Sequence, residues 1–521
     1  MSLSILFVMR HSGFVRNFEA AIDELASRGH RVHLAFELTR EQADVAERLA
    51  ERHRGVTVGS APVRADRWKH FAFDLRAAVD ALRYRGAAYA DAPKLRERGL
   101  RGAPGWLRAL TAIGPFARPA ALRRLDVFLR RLLAALPPDP AIERFLHERA
   151  PDILLVTPLV AGPTQDDVVR SARRRRIPTV LPVTSWDNLT NKGLVREPVD
   201  RVIVWNEAQR EEAVEHHGVA PERVAVVGAH SYDHWFGWAP SRERAAFCRE
   251  VGLPADRPIL LYLCSSKFVA PEEPAFVRRW LADLRAGPAP LPDTPVLIRP
   301  HPATGEWWRN ADLGDFGPVA VWPPVGADPR DAQAKAGYYD SMHHAAAAVG
   351  INTSALIELA IIGRPAFTLL DRQFRDTQAG TLHFAHLTGA GGGILTATAT
   401  RDEHHRQLVD ALTAAREPDH RRAFLRAFVR PRGLDRPAAP LLAEAVETAR
   451  AEEPAPTDGA LDVMLRLLLW PLAPLARSSG RKVPLPKRLR RWRRRQARTA
   501  ARAGRRARRA LGRIMGRSPA S

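Results

Sequence analysis

The sequence predicts an α/β protein of two doubly wound domains, with a helical insertion in the first and a basic tail after the second. Three observations lead there. Short apolar runs recur that are continuous rather than alternating, as in strands of a parallel sheet covered on both faces. Segments with helical spacing separate them. The series halts near residue 237 and starts afresh near 256. At 521 residues, with 45% apolar and 26% charged side chains, the chain accommodates two to four domains, and most of it is expected to fold.

The first run is LSILFVM at 3–9; HSGFVRNFEAAIDELASRGH follows it, and VHLAF is the second. The helix between them puts Phe18, Ala21, Ile22 and Leu25 on one face and ends at Gly29. No basic segment precedes the first run and no small-residue cleavage site follows it, so it reads as a strand rather than a signal peptide. Residues 64–150 interrupt the rhythm with segments such as LRALTAIGPFARPAALRRLDVFLRRLLAAL and read as a helical insertion. Strands resume at 153–157, 179–184, 202–205 and 224–228, giving a first domain over 1–237. PILLYLCSSK (258–267), PVLIRPHP (295–302), VAVWPP (319–324) and AAAAVGINTSALIELAIIGRPAFTLL (345–370) open a second domain over 256–430, which ends in helical chain. A helix or linker at 431–460 leads to a tail at 461–521.

The net charge of +23 belongs to that tail. No acidic residue follows Asp462, whereas 463–521 hold 19 of the 80 Lys and Arg; the other 61, set against all 57 acids, leave only +4. LDVMLRLLLWPLAPL (461–475) is apolar but short, broken by Pro471, and cannot span a bilayer. With the polybasic stretch behind it, anchored by Trp492, Leu511 and Ile514, it is expected to lie on an anionic membrane; Trp106, Leu107 and Phe116 of the insertion, among arginines, add a second contact. Nucleic acid is the competing partner for so basic a segment, disfavoured because the tail has no RNA-binding fold and follows a lipid-type segment. The only cysteines, Cys248 and Cys264, have no zinc-ligand spacing and suit a reducing compartment.

Chemistry-bearing residues cluster at predicted strand exits, where a parallel sheet meets its ligand crevice. Asn352, Thr353 and Ser354 stand between a strand and a helix, where free N–H groups and the helix dipole favour an anion; Glu358, one turn on, can accept ribose hydroxyls. Arg299 and His301 end another strand, the histidine fixed between prolines, and Ser265, Ser266 and Lys267 end a third. In the first domain, Trp186, Asp187, Asn188, Asn191 and Lys192 follow TVLPVT, with Asp187 as a base or hydroxyl-orienting group and Lys192 on a phosphate. His11 after the first strand is the other base, and Arg16 and Asn17 are anion contacts. Each has a plain alternative: an N-cap, a surface histidine, a polar loop, an Asx-turn. No Walker loop, H-E-x-x-H, G-x-S-x-G or G-x-G-x-x-G pattern occurs where it would be needed, and no Asp-x-Asp stands ready to hold a metal, so no metal site or cofactor is expected.

Together RNFEAAIDELASRGHRVHLAF, SWDNLTNKG, VAVVGAHSYDHWF, RPHP and GINTSALIELAIIGRP resemble the GT-B superfamily of glycosyltransferases over residues 1 to about 430, near the CDP-glycerol glycerophosphotransferases and the nonhydrolysing UDP-N-acetylglucosamine 2-epimerases. The resemblance implies two Rossmann-like domains facing a cleft, a nucleotide-linked donor bound as substrate by the second and an acceptor presented by the first. It makes Asn352, Thr353 and Ser354 the donor phosphate cradle, Glu358 a ribose or sugar contact and His301 a donor-phosphate residue. The glycerophosphotransferases carry Thr-Asp-Tyr-Ser-Ser where this chain has Gly350-Ile351-Asn352-Thr353-Ser354, and the epimerases two successive glutamates where it has only Glu358. The expected activity is metal-independent transfer of a sugar or polyol phosphate from a nucleotide-sugar or CDP-polyol donor to an envelope glycan or lipid-linked acceptor, on the cytoplasmic face of the membrane. A UDP-sugar 2-epimerase, a nucleic-acid-binding protein and an inactive scaffold are the alternatives.

Overall fold

The computed structural model describes residues 2–38, 44–157, 165–309, 311–324, 326, 331–413, 419–452 and 464. Strands β1 (Ser4–His11), β2 (Arg31–Leu38), β3 (Val56–Ser60), β4 (Ile153–Thr157), β5 (Thr179–Pro182), β6 (Arg201–Val204) and β7 (Val224–Val226) form one parallel sheet in the order β3-β2-β1-β4-β5-β6-β7. β8 (Ile259–Leu263), β9 (Val296–Arg299), β10 (Val319–Val321), β11 (Ala345–Gly350), β12 (Ala366–Leu369) and β13 (Leu395–Thr398) form a second, ordered β10-β9-β8-β11-β12-β13. Both are Rossmann orders. In each the direction of winding reverses beside the first strand, between β1 and β4 and between β8 and β11, which is where a doubly wound sheet opens a crevice. The arrangement is GT-B-like, two such domains facing a cleft.

The apolar runs are continuous because both faces of each sheet are buried. In β1, Ile5, Phe7 and Met9 enter one cluster and Leu6 and Val8 the opposite one. β8 repeats this: Ile259, Leu261 and Leu263 face one way, Leu260 and Tyr262 the other.

The interruption after β3 is helical: Lys69–Arg83, Pro93–Gly102, Gly105–Ala112 and Pro119–Ala135 precede Pro140–Arg149, which packs Ile142 and Leu146 on the first sheet. A buried ionic network fastens the insertion. Arg64 and Arg76 meet Asp167 at 2.9 and 2.6 Å, while Arg196 meets Asp80 at 2.7 Å and Asp166 at 2.6 Å.

After the second domain the chain returns to the first. Helix Ala438–Ala451 lays Leu442, Ala443 and Val446 into the cluster of Ile5 and Phe7. Gly228 lets it approach: with φ +108°, a Cβ there would stand 2.9 Å from that of Ala438. The tail at 461–521, apart from Met464, lies outside the described residues.

Candidate functional site

A cleft of about 820 Å³ opens between the domains at the strand C-termini. The second domain contributes Arg299 and His301 after β9, and Thr353, Ser354 and Glu358 from the loop after β11 and the helix Ala355–Ile362; Arg16 and Asn17 of the first domain line the opposite wall. Lys335 and Glu19, from opposite domains, approach to 3.9 Å across it.

Arg299 is 5% exposed, and its guanidinium lies over the rings of Tyr338 (4.6 Å) and Trp322 (5.1 Å). Burial lowers its pKa to about 10, so it remains a cation at neutral pH. The His301 Nδ1 accepts the Ala303 N–H at 3.0 Å, which leaves the proton of the neutral ring on Nε2. The Ser354 side chain does not cap its helix, and Ser354 and Tyr232 both line the cleft. Glu358 accepts a hydrogen bond from the Tyr338 hydroxyl. Burial pushes the carboxyl up to about 7, against the pull of that bond and of Arg16 and Arg299. Tyr338 is driven well above its ordinary value by burial and by Glu358, so it stays a donor. The guanidinium groups of Arg16 and Arg299, an imidazole N–H and a helix N-terminus thus share one cleft with the Glu358 carboxylate, a combination suited to a phosphorylated polyol or sugar.

Other predicted contacts point elsewhere. Ser265 is fully buried: its N–H is held by both oxygens of Glu273 at 3.0 Å, and its hydroxyl receives the Asn352 N–H at 3.3 Å. Asn352 is turned inward as well, its amide donating to the Thr377 carbonyl and the Thr381 hydroxyl. Neither lines the cleft, and nor do Ser266 and Lys267, whose ammonium lies 6.0 Å from the Trp307 ring. Of the cradle assigned to Asn352, Thr353 and Ser354, only the latter two face the cavity.

The 186–192 loop is scaffolding rather than a cleft wall. Asp187 takes bonds from Ser185 and Asn191 and pairs with Lys192 at 3.1 Å, which hold its carboxyl far below its ordinary value despite burial. Asn188 caps the N–H groups of Thr184 and Ser185; the Asn191 Oδ1 receives Arg98 of the insertion at 2.8 Å; Trp186 meets the His383 ring edge-on at 4.9 Å. A carboxylate so committed is a poor base. His11 is the residue before the cleft-lining Ser12 but is not itself part of the lining; its ring lies 4.4 Å from that of Phe14.

Sequence reasoning missed Tyr338, Tyr232 and His230, all on the cleft wall. His230 is 2% exposed and stacked on Phe18 at 4.7 Å, and neither ring nitrogen has a hydrogen-bond partner. Burial lowers its pKa to about 3, leaving a neutral ring. VAVVGAHSYDHWF, which holds His230 and Tyr232, was the available signal; Tyr338 had none.

The sequence matches no protein-family model and no curated protein. Among solved structures it is similar to the UDP-GlcNAc 2-epimerase of Methanocaldococcus jannaschii (11% identity over 86% of this chain and 100% of the other, TM-score 0.48). It is also similar to a glycosyltransferase of Rickettsia africae (8%, 91% and 99%, 0.45) and to CalG4, the calicheamicin glycosyltransferase (15%, 87% and 99%, 0.43). At scores this low the likeness decides nothing about fold or activity, and the GT-B-like architecture stands on the strand orders and the cleft.

Proposed function

We propose that the chain is a transferase that takes a sugar or polyol phosphate from a nucleotide-linked donor. The supporting observation is the convergence of Arg299, His301, Thr353, Ser354 and Glu358 at the strand exits of one domain, with Arg16 and Asn17 facing them from the other. The donor diphosphate lies against the helix N-terminus at Thr353 and Ser354, with Arg299 and the Nε2–H of His301 stabilising charge on the departing phosphate. Glu358 accepts a donor hydroxyl. Of the two first-domain groups considered for the acceptor proton, Asp187 is held in its ion pair, which leaves His11; closure of the domains brings it to the acceptor. The acceptor is an envelope glycan or lipid-linked intermediate, and the tail at 461–521 gathers the enzyme to anionic lipid on the cytoplasmic face.

Thermal unfolding in the presence of UDP, CDP, GDP, ADP or dTDP tests the donor site, since a ligand that binds only the native state raises Tm. One nucleotide is expected to stand out, with its shift lost in His301→Ala and Arg299→Met. Absence of any shift, or one unchanged by both variants, would refute the site. Incubating the preferred nucleotide sugar with and without envelope membranes then separates transfer from epimerisation, which leaves the nucleotide attached and needs no acceptor. For the base, His11→Ala should abolish nucleotide release while leaving nucleotide affinity intact.

A further inference from the structure

The insertion leaves an unusual surface bare. Segments Gly105–Ala112, Gly114–Ala117 and Pro119–Ala135 form a hairpin packed on helix Lys69–Arg83 through Leu107, Leu129 and Leu133. Leu107, expected from sequence to meet lipid, is therefore part of the packing. The outer side carries Trp106 (41% exposed), Ile113 (53%), Phe116 (46%), Val127 (50%) and Phe128 (52%). Arginines run between them. Arg123 and Arg124 lie one turn before Val127 and Phe128, Arg131 lies one turn after, and Arg108 and Arg118 flank the tip; all five are exposed. Residues 98–135 contain eight arginines and a single acid, Asp126, which is paired with Arg130 at 2.8 Å.

We propose that this face docks on an anionic phospholipid surface. Apolar side chains this exposed favour leaving water, and the cations beside them favour negative charge; the interface of an anionic bilayer offers both within one layer. A second copy of the chain satisfies only half of that, because apposing two such faces sets arginine against arginine. Phosphate of a nucleic acid satisfies the other half and leaves Ile113 and Val127 in water. The surface belongs to the described fold and none of its residues lines the cleft, so the proposal does not depend on the reading of the cleft.

Both native cysteines are buried, so Phe116→Cys and Phe128→Cys in the full chain can be labelled selectively with a polarity-sensitive fluorophore, with Glu306→Cys on the second domain as reference. Vesicles of phosphatidylcholine with phosphatidylserine should shift the 116 and 128 labels to the blue and leave the 306 label unchanged. Adding Arg123→Glu and Arg124→Glu should weaken the response of the 116 and 128 labels about tenfold in lipid concentration. Vesicles that sediment the protein without shifting either label, as attachment through the tail alone would, overturn the proposal. So does an equal response to pure phosphatidylcholine, or a shift that grows with protein concentration in the absence of lipid. RNA that shifts the labels as vesicles do would assign the face to nucleic acid instead.

Discussion

At Glu358 burial and local partners act in opposition, and burial prevails. Its native value of about 7 lies above the 4.5 of an ordinary glutamate, so the folded chain binds the proton more tightly than the unfolded one. This carboxyl therefore costs no stability below pH 4.5 and an increasing amount as pH rises to about 7. Glu358→Gln, which keeps an acceptor for Tyr338, should match the parent at pH 4 and exceed it at pH 8 by on the order of 2 kcal/mol in urea unfolding. Donor affinity should rise with pH through neutrality in the parent and be weak and flat in the variant; a parallel pH dependence in both would remove Glu358 from the ligand. His230 makes the complementary case. A buried imidazole with two unmade hydrogen bonds carries about 1–3 kcal/mol of desolvation that a ligand hydroxyl or amide can relieve. His230→Phe should leave the unliganded protein as stable or slightly more so, yet weaken donor binding about fivefold or more by calorimetry. At this scale the sequence was half legible. Arg299, His301 and Ser354 follow from the rule that strand exits face the crevice, whereas Asp187 obeys the same rule and is spent inside its own loop, and Asn352 is spent on a distant segment. For Asn352 only partners distant in sequence, Thr377 and Thr381, decide that; for Asp187 it is the fold of the short loop that brings Ser185, Asn191 and Lys192 onto the carboxylate.

At the scale of elements, legibility followed burial. β4 coincides with the predicted run because all five of its residues are buried. β3 is not legible because VTVGS, at the sheet edge, buries only Val56, and β13 is not because LTAT sits within chain that otherwise reads as helix. The return of helix Ala438–Ala451 to the first domain was not legible, since its small apolar stripe names no partner. Asp233 fixes that return: its two oxygens accept the N–H groups of Ala438 at 2.9 Å and Ala439 at 2.7 Å and meet Arg430 at 3.0 Å. It serves as a helix cap supplied from a distant segment. Asp233→Ala removes the cap and leaves a mostly buried arginine without its carboxylate, a loss of about 2–4 kcal/mol. Leu442→Ala, within the cluster shared with Ile5 and Phe7, should cost about 2–4 kcal/mol as well. Both are read from denaturant midpoints, and an effect below about 0.5 kcal/mol for either would mean that the helix is not held where it is described.

Over the whole molecule, that helix makes the two domains one unfolding unit. The first sheet buries one face partly against chain that follows the second domain, and the crossing is secured twice more, by Asn206 on the Phe428 carbonyl at 2.8 Å and by Ala229 on the Val429 carbonyl at 2.8 Å. Arg28 and His30, just past helix Glu19–Ser27 on the same face, reach Glu447 at 3.0 and 2.9 Å. Cutting the chain after residue 430 strips the cover from the face that holds Ile5, Phe7 and Ile22 while leaving every group of the cleft in place. The full chain should accordingly unfold in one transition that nucleotide shifts as a whole. The chain ending at 430 should show an early transition, insensitive to nucleotide, for the first domain, followed by a later, nucleotide-sensitive one for the second. Calorimetry distinguishes the two. If the shortened chain keeps a single transition at the original midpoint, the returning helix is an ornament on the first domain and the coupling must come from contacts across the cleft, of which Lys335 with Glu19 is the one to remove next.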